Sequence, residues 1–410
     1  MFSNKDLRKL IIPLVIEQLL AVTIGMADTV MVSSCGEAAV SGISLVDSIN
    51  FLLITLFSSL ATGGAVIASQ YIGRGDHKSA SLAAKQLFYA SLALSAVLGV
   101  IAVFFRKPVL NMVFGSIEAD VMAHAQIYFL LSAISYPFLA VYNAGAALFR
   151  SMGDSRTTML ISILMNTINI VGNAILIYGF QMAAAGAATA SLVSRAVGAI
   201  IITVLLLNPR RIIFYDKLHK PEIHLSMLKS ILQIGVPNGL ENSIFQIGKI
   251  LVASIVSGFG TISITANAVA GNLASLQVIP GMALGMAMIT VVGQCIGAKD
   301  YEAVKKYTKK LMLITYGVVW AMTLLMLLFS KQILSFYSLS EETTTMTMEV
   351  FIVHGICAVI VWPLAFALPN ALRAANDVRF TMIVSLLSMW IFRIGSVSYT
   401  HLTLPTILRG

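Results

Sequence analysis

Residues 7–33 read LRKLIIPLVIEQLLAVTIGMADTVMVS, an apolar run long enough to cross a bilayer that still carries two carboxylates, Glu17 and Asp28. They stand eleven residues apart. At about 100° per residue this is close to three whole turns, so both acids share one helix face, about 16 Å apart along the axis. A carboxylate inside a membrane is costly, so it faces a protein interior or a watery cavity and marks a pathway. The plainer alternative for each acid is a hydrogen bond to a neighbouring helix.

The rest of the chain agrees with a membrane setting. Of its 410 residues 58% are hydrophobic and only 11% charged, with a mean hydropathy of +0.89. A soluble core of this size needs far more charge around it. Apolar segments of spanning length fall at 10–32, 43–68, 82–105, 121–146, 159–180, 187–207, 231–256, 264–292, 311–329, 348–368 and 380–394. The first is too long for a cleavable signal, and no small-residue cleavage site follows it. Cys35, Cys295 and Cys357 are odd in number and far apart, which suggests neither a disulfide frame nor a zinc site.

Charge orients the chain. Alternate connections collect 20 of the 27 basic residues, from Lys5, Arg8 and Lys9 through Arg150 and Arg156 to Arg373 and Arg379. The opposite connections hold only Arg106, Lys107 and Lys331. This asymmetry places the N-terminus and the basic loops in the cytoplasm of a multi-pass protein of the plasma (inner) membrane. It also accounts for the net charge of +9 without a nucleic-acid partner.

An internal repeat organises these segments. Pro13 and Glu17 recur as Pro237 and Glu241, and Gln70-x-Ile72-Gly73-x-x-Asp76 recurs as Gln294-x-Ile296-Gly297-x-x-Asp300, both at an offset of 224. Arg150, Asp154, Arg156, Thr158 and Met159 recur at an offset of 223 as Arg373, Asp377, Arg379, Thr381 and Met382. Two parallel repeats of about six helices are a transporter architecture with the site between the halves. The expected fold is therefore an all-α membrane protein of two pseudo-symmetric six-helix bundles. The lobes are 1–207 and 230–395, joined by a basic cytoplasmic linker at 208–229. The second bundle is expected to be truncated after helix 11, because its twelfth helix would begin near position 411. Residues 396–410 read SVSYTHLTLPTILRG, do not continue the apolar pattern, and are expected to be a non-native tail. The alternative is an eleven-helix protein with a short external C-terminus.

Several side chains could carry chemistry. Asn166, Asn169 and Asn173 lie at i, i+3 and i+7 and share a helix face. Their carbonyl oxygens suit a cation held beside a carboxylate such as Asp28, and ordinary interhelical hydrogen bonding is the alternative. Glu241, Phe245 and Lys249 are spaced by four and stack on one face, with Glu241 either titrating during transport or paired internally. Arg195 and Lys249 read as snorkelling side chains or members of static ion pairs. No GxxxxGK[ST], HExxH or GxSxG is present, so the chain is not expected to be an enzyme. Uphill transport would then draw on an ion gradient.

In order and in duplicate, MADTVM, the two P-x-x-x-E motifs, QYIGRGD with QCIGAKD, and LFRSMGDSR with ALRAANDVR resemble the multidrug and toxic compound extrusion (MATE) transporters, over residues 7–395. The resemblance implies two six-helix lobes around a cavity that opens to either side in turn, and antiport of organic, often cationic and lipophilic compounds against Na+ or H+. It maps the first-helix acid onto Asp28 and the fifth-helix polar pair onto Asn169 and Asn173, a set that would hold Na+. In the sodium-linked branch the seventh-helix acid maps onto Glu241. That branch's tenth-helix acid has no counterpart, since residues 350–370 contain no carboxylate. Ion or proton coupling is thus expected at Asp28, Asn169, Asn173 and Glu241, and cargo contact at Glu17, Asn166 and Phe245. No cofactor is expected beyond the coupling ion, and the partners are small organic substrates and lipid around a monomer. A flippase for a lipid-linked or polyprenyl-linked precursor is the alternative, and it would require a basic cavity to hold phosphates.

Overall fold

The structure, a computed structural model, describes residues 2–115, 118–218, 220–335, 337 and 339–395. It is helical throughout, with no strand among the described residues. The expected tail at 396–410 lies outside them. The long helices are α1 (Asn4–Ser33), α2 (Glu37–Gly73), α3 (His77–Phe114), α4 (Ala119–Ser151), α5 (Ser155–Asn173), α6 (Ala183–Leu206), α7 (Leu225–Ser257), α8 (Thr261–Gly297) and α9 (Tyr301–Leu328). The short α10 (Ser330–Ser335) leads to α11 (Glu341–Trp362), α12 (Leu368–Ala374) and α13 (Val378–Leu387). Among the described residues ten helical stretches are long and apolar enough to span a membrane, the last running through α11 and α12 as Glu341–Ala374. The eleventh expected span is present as a shorter apolar helix, Val378–Phe392.

Outward-facing large apolar side chains are everywhere: Phe104 is 76% exposed, Phe180 70% and Leu328 68%. In water such a surface would aggregate, whereas lipid makes it the favoured state. Two helix interiors depart from the simple pattern. The third apolar segment was expected to stop at 105, yet α3 runs on to Phe114 across a kink at Phe105, where φ is −107° and ψ 18°. Pro108 explains the kink, because it supplies no N–H to the turn before it. After Asn173, α5 continues as a π-helical turn, Ala174–Gly179.

The repeated motifs form repeated turns. Asp76, Asp154 and Asp300 each accept a hydrogen bond from the backbone N–H three residues on, at 3.0, 3.1 and 2.9 Å, and so cap α3, α5 and α9. The capping bonds from Ser79 hold the Asp76 carboxyl below the usual carboxylate range. The residue before each capping position turns left-handed: Gly75 at φ +76°, Gly153 at +82°, Lys299 at +59°, and Asn376 at +66° ahead of Asp377. The first half uses glycine there, and the second half tolerates side chains.

Two compact units emerge. One comprises the residues up to Gly239 together with Gly293–Lys299, and the other Leu240–Val292 with the chain from Asp300 onward. In the first, the last turn of α2 crosses the last turn of α8. A Cβ on Gly73 would overlap the carbonyl of Gln294, and one on Gly297 the carbonyl of Gln70. The repeated glycines are therefore required by backbone approach. The linker lies against the same unit: Gln86 Nε2 donates to the Glu222 carbonyl at 2.7 Å, and Tyr89 donates to that of Leu218 at 2.8 Å. Arg211 pairs with Asp154 at 3.3 Å. Helix α7 begins at Leu225, inside the expected linker.

In the second unit, Gln277 of α8 bonds to Thr323 of α9, and Phe351 of α11 packs with Leu273 and Met326 in a buried cluster.

Left-handed backbone penalises a side chain by about 1 kcal/mol. Lys299→Gly is therefore expected to raise the unfolding midpoint in detergent, and Gly75→Val to lower it, both read by thermal denaturation of purified protein.

Candidate functional site

Helix α1 packs on α5, and this contact brings Asp28 to Asn173. Asn173 Nδ2 donates to Asp28 Oδ1 at 2.5 Å and reaches Asn169 Oδ1 at 3.4 Å. Asn169 Nδ2 in turn donates to Ser191 Oγ of α6 at 3.0 Å. Asn169 and Asn173 are buried, Asp28 half-buried. The Asn173 carbonyl oxygen is buried without a hydrogen-bond partner. Leaving such an acceptor unmet costs about 1–3 kcal/mol, and a hard cation beside a carboxylate is one way of meeting it. No carboxylate–base ion pair involves Asp28 among the described residues. The oxygens gathered here are one carboxylate plus neutral amide and hydroxyl groups. They sit directly before the π-helical turn, a widened backbone often found at functional sites.

Above the α1–α5 contact a small apolar cluster of Val32, Ile43, Ile177, Ala184 and Ala187 joins α1, α2, the π-helical turn and α6. It fixes the relative positions of the helices that carry the polar groups. Asn166 is half-buried on the expected face but makes no hydrogen bond among the described residues.

A second polar system in the same unit escaped the sequence reading. Asp47 of α2 accepts from Tyr128 OH at 3.1 Å and from Asn50 Nδ2 at 3.2 Å, both through Oδ1. Asn50 Oδ1 accepts from Tyr136 OH at 2.8 Å, and the fully buried Tyr136 ring lies 6.0 Å from Phe57. Arg195 of α6 donates to Ser135 Oγ at 2.6 Å. It has no ion pair among the described residues, so of the two expectations the static pair is not what is found. The available signal was Asp47-x-x-Asn50 inside the second apolar run, an acid and an amide on one helix face.

The other expected site residues lie elsewhere. Glu17 Oε1 pairs with Arg150 at 3.0 Å, and Oε2 accepts from Thr158 at 2.8 Å, tying α1 to α4 and α5. Its repeat mate Glu241, in the other unit, pairs through Oε2 with Arg373 at 2.8 Å, and Arg373 also donates to Asn370 Oδ1 at 2.9 Å. The positions that recur in the sequence thus recur as bonded partners, one pair per half. Phe245 packs edge-on against Phe366 at 5.7 Å, and Phe366 stacks on Trp362 at 5.4 Å.

Long apolar helices in two repeats define a multi-pass membrane protein. The MatE family model matches residues 13–175 and 237–397, the two halves found in the sequence, and the chain belongs to that family. It is 27% identical over 384 residues to the uncharacterized transporter YisQ of Bacillus subtilis, covering 92% of this chain and 83% of that one. It is 25% identical over 400 residues to a probable multidrug resistance protein NorM of Thermotoga maritima, with 95% and 84% covered. Among solved structures, an outward-facing multidrug resistance MATE family transporter of the MOP superfamily matches with a TM-score of 0.87 at 20% identity, covering 97% of this chain and 88% of that one. A MOP superfamily transporter from Pyrococcus furiosus matches with a TM-score of 0.86 at 21% identity, with 97% and 88% covered. These likenesses establish the fold.

Removing one partner of a buried ion pair strands the other charge, at about 3–5 kcal/mol. Arg373→Leu is expected to lower thermal stability sharply, and adding Glu241→Leu to recover part of the loss. A double-mutant cycle measured by thermal unfolding checks both.

Proposed function

We propose that the chain is a secondary active antiporter that exports organic, cationic and lipophilic compounds in exchange for Na+ or H+ by alternating access. In this reading it lies in the plasma membrane with a cytoplasmic N-terminus and works as a monomer. The observation that carries the proposal is Asp28, a half-buried carboxylate bonded to an amide and paired with no base among the described residues. A negative charge so placed calls for a mobile positive one.

Asp28, Asn169 and Asn173 supply oxygens suited to a small hard cation, with Ser191 orienting the Asn169 amide. A proton on Asp28 would satisfy the same charge. Either ion can drive export only by binding the outward- and inward-open states with different affinity. Arrival of the ion then displaces the cargo's positive charge, and its departure restores the demand for it. The relatives named for multidrug resistance support organic cargo. Glu241, bonded to Arg373, and Glu17, bonded to Arg150, serve in this scheme to hold their helices in register.

The test is Asp28→Asn in reconstituted vesicles, following ethidium efflux under imposed sodium or proton gradients. Loss of a charged partner worth about 1.5–3 kcal/mol predicts a fall in gradient-driven export of about tenfold or more. Export that keeps its ion dependence at normal protein levels overturns the proposal.

A further inference from the structure

The first unit holds charge that the Asp28 site does not use. Asp47 lies ten residues into α2 and is exposed, although its helix is apolar and of spanning length. Its orientation is fixed. Tyr128 and Asn50 both bond to Oδ1, Asn50 is itself held by Tyr136, and Tyr136 is locked in the buried cluster with Phe57 and Phe129. Oδ2 has no partner among the described residues. Arg195 is half-buried, spends one N–H on Ser135, and contacts neither acid. Hydrogen-bonded chains nonetheless bring both acids toward Arg195. Asn50, which holds Asp47, reaches Ser132 Oγ at 3.4 Å, Ser135 donates to the Ser132 carbonyl at 2.6 Å, and Arg195 donates to Ser135. The chain from Asp28 ends at Ser191, one turn before Arg195 on α6.

We infer that Asp47, flanked by Tyr128, is a second cation subsite that takes the positive nitrogen of the organic cargo, while Asp28 takes the coupling ion, and that Arg195 makes the two occupancies mutually exclusive. The inference rests on the reading of Asp28 given above. The chemistry of the two sites differs in the required sense. Asp28 sits among amides, which match a small bare ion. Asp47 presents an open carboxylate oxygen beside a phenol ring, which matches a bulky organic cation that can use both charge and ring contact.

Charge arithmetic supplies the exclusion. Among these three groups, two carboxylates and one guanidinium leave a single negative charge. One bound cation, at either acid, neutralises it. A second would enter a net positive surrounding screened far less than in water. Exchange of ion for cargo then follows without both competing for the same atoms.

The test uses the purified full chain, with ethidium fluorescence reporting cargo binding and radioactive sodium or proton uptake reporting the small ion. In the parent protein sodium or protons are expected to displace ethidium. Asp47→Asn combined with Arg195→Gln, which keeps the net charge of the three groups unchanged, should weaken ethidium binding about tenfold or more and leave small-ion binding within about twofold. Arg195→Gln should let both bind together, so that ethidium affinity no longer depends on the ion, and Arg195→Lys should restore the dependence. Folded Asp47→Asn that binds ethidium like the parent, or a folded Asp47→Asn, Arg195→Gln double variant that loses both ligands together, overturns the inference. So does Arg195→Gln with unchanged competition, which decides the matter even where Asp47→Asn fails to fold. Loss of ethidium in Asp28→Asn but not in Asp47→Asn also overturns it, and leaves the proposed antiport at Asp28 standing.

Discussion

The architecture turns on Asp28, a carboxylate that pairs with no base among the described residues. Asp28 stands within a helix that lipid would otherwise favour as wholly apolar, and an amide of Asn173 holds it. An amide offers a hydrogen bond without neutralising the charge. The surrounding arrangement follows from protecting that state. Helix α5 must bring two buried asparagines to one place, α6 must supply Ser191 behind them, and a small apolar cluster must keep α1, α2 and α6 from drifting.

The other acid of the same helix shows the opposite solution. Glu17 has both oxygens engaged, one by Arg150 and one by Thr158, and its repeat mate Glu241 is engaged by Arg373. A base-paired carboxylate ties helices together and leaves little for a passing ion. One helix thus carries two carboxylates, about 16 Å apart, with chemically different partners: an amide for Asp28, a guanidinium and a hydroxyl for Glu17. The duplicated pairs also explain why those positions recur in the sequence: each half needs its lead helix fastened to the same later segment.

Relatives at 25–27% identity match over most of the chain. Within it, the turn of a left-handed residue followed by a capping aspartate recurs, and the glycine pair Gly73 and Gly297 lets two backbones meet where any side chain would block them. These are constraints of backbone geometry rather than of side-chain chemistry.

Apolar runs, basic loops and the offset of 224 made the helical membrane class and the twofold repeat legible from the sequence, because hydrophobic length and charge asymmetry act locally along the chain. Helical periodicity put Asn169 and Asn173 on one face, and the resemblance to the family set them with Asp28. The partners of Glu17 and Glu241 were not legible, although Arg150 and Arg373 stood in the repeat: a pairing across 132 or 133 residues depends on how helices pack, which periodicity does not encode. Asp47 was hidden for the same reason. A lone acid in an apolar run has no meaning until Tyr128 and Asn50 are seen to aim it and Arg195 is seen to stand near without touching. Sequence alone determined what could span the membrane and in which order; only tertiary packing decided which buried charges are cancelled and which are left open.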